Sequence, residues 1–317
     1  MKYFHIAFWI ILTICFRDAA AVAQQPAQAP PGMFKDLDDA IVGNALIIRG
    51  KQLFIDDYLI EELRGVHKSL HQPVKHAQNP VLIRDQPWEE AGPGFGTVIY
   101  DKEERLFKLW YEVAGQAGGP DKVSVNRLCY ATSNDGIVWQ KPLVDVERHT
   151  NFVTPPKTRH FQIIGLFKDD HERDPQRRYK MHYVCSPDGS PEGGIDLPKY
   201  LRSLRTSVGW SPDGIHWTAA SETPQIPFSD SPSCPFWDTR IHRYVAYLRY
   251  GPPNTRKVTR IESEDFLNWS PKVTVISPSQ LDAPLATQFY QTSMFPYEGN
   301  YIGLITAYHS ESLAPIP

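Results

Sequence analysis

The chain has 317 residues, a formal net charge of -3, and is 41% hydrophobic and 12% aromatic. That is ample material for a core and excludes a disordered chain, while the near-neutral balance excludes nucleic acid and anionic membrane surfaces as expected partners. The 28 prolines and the abundance of tyrosine and tryptophan suit a loop-rich all-β protein rather than a helical one.

The N-terminus reads as a secretory signal. Lys2 precedes the apolar run "FHIAFWIILTIC", and Ala21-Val22-Ala23 forms an A-x-A cleavage site. The run is shorter than the roughly 20 apolar residues that span a bilayer. Residues 1–23 are therefore assigned as a signal peptide, which predicts a secreted or periplasmic protein with no integral membrane span after cleavage. Cys15, followed by Arg17 and Asp18, makes a poor lipobox. Residues 24–45 form a linker that opens with a Pro/Ala/Gln-rich stretch lacking core-forming residues. An N-terminal segment, 46–78, follows. Within it Gln52 to Ile60, "QLFIDDYLI", is expected to pack a strand against the main body, and His67 to His76 reads as an extended connection.

From Asn79 onward one grammar recurs. "GTVIYDKEERLFKLWYEV" is strand, charged turn, strand. "FQIIGLFKDDHERDPQRRYKMHYVCS", "CPFWDTRIHRYVAYLRY" and "YQTSMFPYEGNYIGLITAYHS" repeat the pattern. Each second strand ends near a tyrosine, namely Tyr111, Tyr183, Tyr247 or Tyr308, roughly 60–70 residues apart. Three hairpins are followed by a third strand running into Ser-x-Asp-x-x-x-Trp: "SNDGIVW" at Ser133, "SPDGIHW" at Ser211 and "SEDFLNW" at Ser263. A short fourth strand such as "VTVI" follows Trp269. A repeat of this size built from four short strands predicts β-propeller blades. A β-sandwich is the alternative, but sandwiches do not repeat a hairpin and turn in register.

The repeated turn has a physical logic. Gly136 and Gly214 permit a positive φ, and Asp135 and Asp213 accept backbone N–H bonds. Trp139 and Trp217 supply packing area. Three copies of one turn argue for structure rather than catalysis. Phe266 replaces the glycine in the third copy, so that turn is expected to differ in geometry. Cys129, Cys185 and Cys234 lie in or beside strand-like runs and read as small core residues. They show no disulfide or zinc spacing, and neither a metal nor a cofactor is expected.

The Ser-x-Asp-Gly-x-x-Trp turn resembles, with one residue fewer, the aspartate box of sialidase propellers. The phrases "NPVL", "LFKLWYE", "YATSNDGIVWQKP" and "FWDTRIHRYVAYLR" resemble the five-bladed propellers of glycoside hydrolase families 32 and 43. The resemblance covers about residues 79–310 and implies an all-β, five-bladed propeller type that is incomplete here. The domain assigned to residues 79–317 holds about three and a half blades, as expected of a C-terminally truncated product. It also implies hydrolysis of a glycosidic bond in a polysaccharide or oligosaccharide by two carboxyl groups. By position the candidates are Asp230, Glu89 and Glu90, with Asp282 in the fourth blade. Arg159, His160, Trp88 and Tyr290 are candidates for binding the sugar, and Trp237 and His309 are further possibilities. Asp174, in "ERDP", superficially matches a family 32 motif but falls in a polar hairpin turn, so it reads as structural; the family's "WMND"-like segment is absent. The alternative function is a non-catalytic propeller that binds carbohydrate or protein, or an inactive truncated product.

Overall fold

A computed structural model describes residues 51–57, 60–116, 124–147, 149–154, 162–185, 204–220, 226–229, 231–251, 256–279, 282 and 287–309, with short strands at 8–9, 41–42 and 45–46. The described elements are strands and a single 3₁₀ turn. The short strands are β1 (Phe8–Trp9), β2 (Ile41–Val42) and β3 (Ala45–Leu46), the last two paired as a ribbon. Most of the residues assigned to the signal peptide and linker lie outside the described residues. Among the described residues no helix is long and apolar enough to cross a membrane.

The body is a succession of four antiparallel sheets in chain order. The first contains β4 (Pro93–Asp101), β5 (Leu106–Gln116) and β6 (Ser124–Ser133). The second contains β7 (Gln162–Lys168), β8 (Tyr179–Cys185), β9 (Arg205–Ser211) and β10 (Thr218–Ala219). The third contains β11 (Cys234–Asp238), β12 (Arg243–Tyr250), β13 (Lys257–Ser263) and β14 (Val273–Ile276). The fourth contains β15 (Thr287–Tyr297) and β16 (Asn300–His309), with β1 on its outer edge. The first strands touch in sequence, β4 on β7, β7 on β11 and β11 on β15. This is the blade arrangement of a propeller, with the first strand of each sheet innermost. The approach is close: a Cβ on Gly165 of β7 would lie 1.9 Å from the Ser233 carbonyl oxygen at the start of β11.

The repeated turn closes in the same way three times. Ser133 Oγ accepts from Asp135 N and Gly136 N, and Asp135 Oδ1 accepts from Ile137 N and Val138 N. Trp139 Nε1 then donates to the Gly136 carbonyl. Ser211, Asp213 and Trp217 repeat these bonds, and so do Ser263, Asp265 and Trp269. The altered geometry expected at Phe266 does not occur. Phe266 holds φ 67°, beside 75° at Gly136 and 81° at Gly214. Its ring is fully buried among Phe167, His182, Tyr244 and Trp269, and that burial offsets the backbone strain.

Apolar layers fill the spaces between sheets. Trp110, Leu128 and Tyr130 meet Leu166, Met181, Tyr183 and Trp217 between the first and second. Val208 and Phe167 meet Ala246, Leu248, Ile261 and Phe266 between the second and third. Val245, Tyr247 and Val258 meet Phe289, Met294 and Ile305 between the third and fourth. The opposite face of the first sheet, with Leu109, Tyr111 and Val113, is covered by Leu82, Trp88 and Phe152.

A polar latch crosses each of these spaces at the hairpin end. The acid at or just past the end of an innermost strand accepts a hydrogen bond from a tyrosine of the next sheet. Tyr179 donates to Asp101 at 2.8 Å, Tyr244 to Asp169 at 2.8 Å, and Tyr301 to Asp238. Lys108 and Lys180 pair with Asp101 and Asp169 within their own sheets. Burial pushes the Asp101 carboxyl upward, but the bonds from Tyr179 and Lys168 outweigh it and hold the group well below the usual carboxylate range.

The strand expected over Gln52 to Ile60 is not formed: residues 51–57 and 60 carry no strand pairing. Phe54 is 64% exposed, so the segment buries too little to be held as an edge. Lys51 instead reaches the fourth sheet, 3.7 Å from Glu298.

Candidate functional site

The inner strands gather polar side chains where they begin. At the start of β11, Ser229, Ser231 and Ser233 are all buried. Ser229 Oγ donates to the Arg249 carbonyl at 3.3 Å, and Ser233 Oγ lies 3.4 Å from His182 Nδ1. His182 is fully buried, and burial lowers its pKa to about 3, so the ring is neutral. At the start of β15 the tyrosine at position 290 lies half-buried beside two guanidinium groups. Arg249 Cζ is 4.5 Å from its ring centroid and Arg256 Cζ is 5.1 Å away. Arg256 also lies 5.9 Å from the Tyr308 ring, and its Nη1 donates to Gln288 Oε1 at 2.9 Å. The Tyr290 and Tyr308 rings are 6.0 Å apart. On the facing ends of β15 and β16, Thr287 Oγ1 and His309 Nδ1 are 2.9 Å apart. Cationic forks, aromatic faces and amides side by side form a surface suited to a polar, ring-shaped ligand.

The sequence candidates fall at several places. Asp230, Arg159 and His160 lie outside the described residues, though the neighbours of Asp230, Ser229 and Ser231, are buried at this mouth. Glu89 is 0% exposed. Its Oε1 accepts from Tyr111 at 2.6 Å, and its Oε2 accepts from Lys141 at 2.8 Å, Asp85 N at 3.1 Å and Gln86 N at 3.3 Å. Glu90 is exposed beside it. Trp88 Nε1 donates to Asn151 Oδ1 at 2.8 Å, and the ring packs edge-on against Phe152. Glu89 and Trp88 thus belong to the cover over the outer face of the first sheet, whereas Tyr290 stands beside the arginines of the third sheet. Trp237 is stacked on His171 with centroids 3.9 Å apart, at the hairpin end of β11. Asp282 accepts from Ser279 N at 2.7 Å within its own loop. Asp174 caps the 3₁₀ turn Pro175–Arg177 by accepting from Gln176 N. Cys129, Cys185 and Cys234 are free thiols. Among the described residues no group of three or more His, Cys, Asp or Glu is placed to hold a metal.

No protein-family model matches the chain, and no curated protein matches it. Solved structures do. An N-acetylgalactosamine deacetylase from F. plautii, in complex with blood group B trisaccharide, is 14% identical with a TM-score of 0.46, covering 68% of this chain and 71% of that one. A GH32 β-fructofuranosidase from Bombyx mori is 16% identical with a TM-score of 0.44, covering 69% of this chain and 42% of that one. A structure described as a glycoside hydrolase is 13% identical with a TM-score of 0.45, covering 74% and 75%. The match thus takes in less than half of the fructofuranosidase. Likeness at this level does not carry an activity across.

The sequence reading did not single out Arg249, Arg256 or Gln288. Arg249 is the penultimate residue of β12 and Arg256 immediately precedes β13, so nothing local marks either as convergent. The recurrence of tyrosines at strand ends was the available signal, and Tyr308 belongs to it.

Proposed function

We propose that the chain is a carbohydrate-active propeller of glycoside hydrolase type, with sugar bound at the leading ends of the inner strands. The carrying observation is the half-buried Tyr290 ring at that mouth, with the Arg249 and Arg256 guanidinium groups 4.5 Å and 5.1 Å from its centroid and Arg256 bonded to Gln288. Aromatic faces with planar hydrogen-bond donors suit the apolar faces and hydroxyl edges of a sugar ring. Asp230, between two buried serines of the same mouth, serves as one carboxyl of the hydrolytic pair, and Glu90 or Glu89 as the other. Glu89 can act only if it gives up its bonds to Lys141 and Tyr111. That closed environment favours a second reading, a propeller that binds sugar without cleaving it. The protein acts outside the cytoplasm; N-terminal sequencing of the mature form is expected to begin at Gln24.

The test is a screen of purified protein on a panel of glycosides, with Asp230→Asn, Glu90→Gln and Glu89→Gln compared. Hydrolysis falling about 100-fold or more in Asp230→Asn supports the catalytic reading. Wild-type turnover in that variant rejects Asp230. Saccharide binding without turnover selects the second reading, and absence of both binding and turnover rejects the carbohydrate assignment. Glu89→Gln is expected to lower thermal stability in any case, because it leaves the buried Lys141 ammonium with a weakened partner.

A further inference from the structure

We propose that the mouth beside β15 is a subsite for an anionic sugar unit, with Arg256 as the group that receives the charge. This deepens the carbohydrate reading above and rests on it. The arginines of the third sheet are not treated alike by the fold. Arg240 faces Asp238 at 3.2 Å, Arg243 faces Glu264 at 2.7 Å and Arg260 faces Glu262 at 2.8 Å. Among the described residues Arg256 faces no carboxylate. Its hydrogen bond goes to the neutral amide oxygen of Gln288, a side chain that is itself 1% exposed. The Gln288 amide and the Tyr290 and Tyr308 rings fix the guanidinium plane without neutralising it. A held, half-buried guanidinium with no carboxylate partner among the described residues is a pre-organised receptor for a planar or tetrahedral oxyanion, since its N–H groups match such oxygens in pairs.

The surroundings decide what carries the anion. The Tyr290 and Tyr308 rings, tilted against each other with centroids 6.0 Å apart, form a half-buried aromatic patch beside Arg256 against which a ring-shaped body attached to the charge can rest. Thr287 and the exposed His309 supply polar groups at the outer lip. An anion with an apolar-faced, hydroxylated ring is a saccharide unit bearing a carboxylate or a sulfate. Both present the same chemistry to Arg256, so the experiment separates them.

Three oligosaccharides of matched length serve as probes in titration calorimetry: an oligouronide, a sulfated galactan and the neutral galactan. The expected result is that one acidic probe binds about 10-fold or more tighter than the neutral one, as charge-assisted bonds of this kind provide. The preferred acidic probe identifies the anion. In Arg256→Gln the ratio of acidic to neutral affinity is expected to fall to about one, whatever happens to the affinity for the neutral probe. Arg256→Lys keeps the charge but loses the fork and is expected to restore only part of the preference. Equal affinity for all three probes, or an undiminished acidic preference in Arg256→Gln, overturns the proposal and leaves the carbohydrate reading standing. Failure of all three to bind overturns both.

Discussion

A single hydroxyl does much of the work between sheets. Tyr244 donates to Asp169, which also takes Lys180 at 2.7 Å, and both charged groups are buried. Burial pushes the Tyr244 pKa upward, with the neighbouring Asp169 charge adding to it, so the phenol remains a donor. Tyr244→Phe should destabilise the protein by about 1.5–3 kcal/mol, the usual contribution of a hydrogen bond to a charged group, read by urea denaturation. Phe107 holds the matching place in the first sheet, one residue past the partner of Asp101, and carries no hydroxyl. The turn aspartates were legible in the sequence because spacing alone dictates their bonds. The latch was not, since its two halves lie 75 residues apart and each reads locally as an ordinary turn or strand residue.

At the scale of elements, neighbouring sheets solve one packing problem in two ways. The Trp110 indole lies against Gly214 of the next sheet's turn and donates to its carbonyl at 2.6 Å. One interface further on, His182 occupies the place of Trp110, and Phe266 that of the glycine, with rings 4.8 Å apart. A large residue faces none in the first pair, and two middle-sized rings meet in the second. Gly214→Ala would set a Cβ 2.4 Å from the indole at φ 81°, so a loss of about 2–4 kcal/mol is expected from overpacking and strain together. Combining it with Trp110→His should recover part of that loss, and a double-mutant cycle by denaturation measures how much. Additive losses would refute the pairing. The sequence showed that Phe266 breaks the glycine rule, but not that it fills the room left by a smaller partner. That compensation exists only once the sheets are stacked.

At the scale of the whole molecule, an exposed charge cluster also ties two neighbouring sheets together. His216, in the turn of the second sheet, bridges Asp213 at 2.7 Å and Asp145 of the preceding sheet's outer loop at 2.9 Å. The hydrogen bond to Asp213 is the main cause that raises the His216 pKa above 6.5. Burial opposes ionisation of Asp213, but the bond from His216 and the turn amides hold its pKa at about 2 against an ordinary 3.8. The histidine contribution is complete below pH 6.5 and is lost as pH rises through the raised value. The aspartate contribution is complete above pH 3.8 and is lost as pH falls towards about 2. The share of the melting temperature owed to this cluster should accordingly be greatest between those limits and fall on the alkaline side, and His216→Gln should remove that part of the alkaline fall. The groups are exposed, so the effect is small and should shrink in salt. The order of the sheets was readable from the repeated hairpins and turns, because period-2 patterning and turn chemistry are local. The mouth was not, because Arg249, Arg256 and Tyr290 meet only through the stacking of the third sheet on the fourth.

The latch also has a direction. Asp101 is made before Lys168 and Tyr179, and Asp169 before Tyr244, so each acid emerges from the ribosome ahead of the hydroxyl that completes it. Lys108 and Lys180 follow their acids closely enough to hold the charge within a single sheet in the meantime. Synthesis thus supplies the latch in a fixed order: each of the first three sheets carries the acceptor, and the sheet translated after it carries the donor.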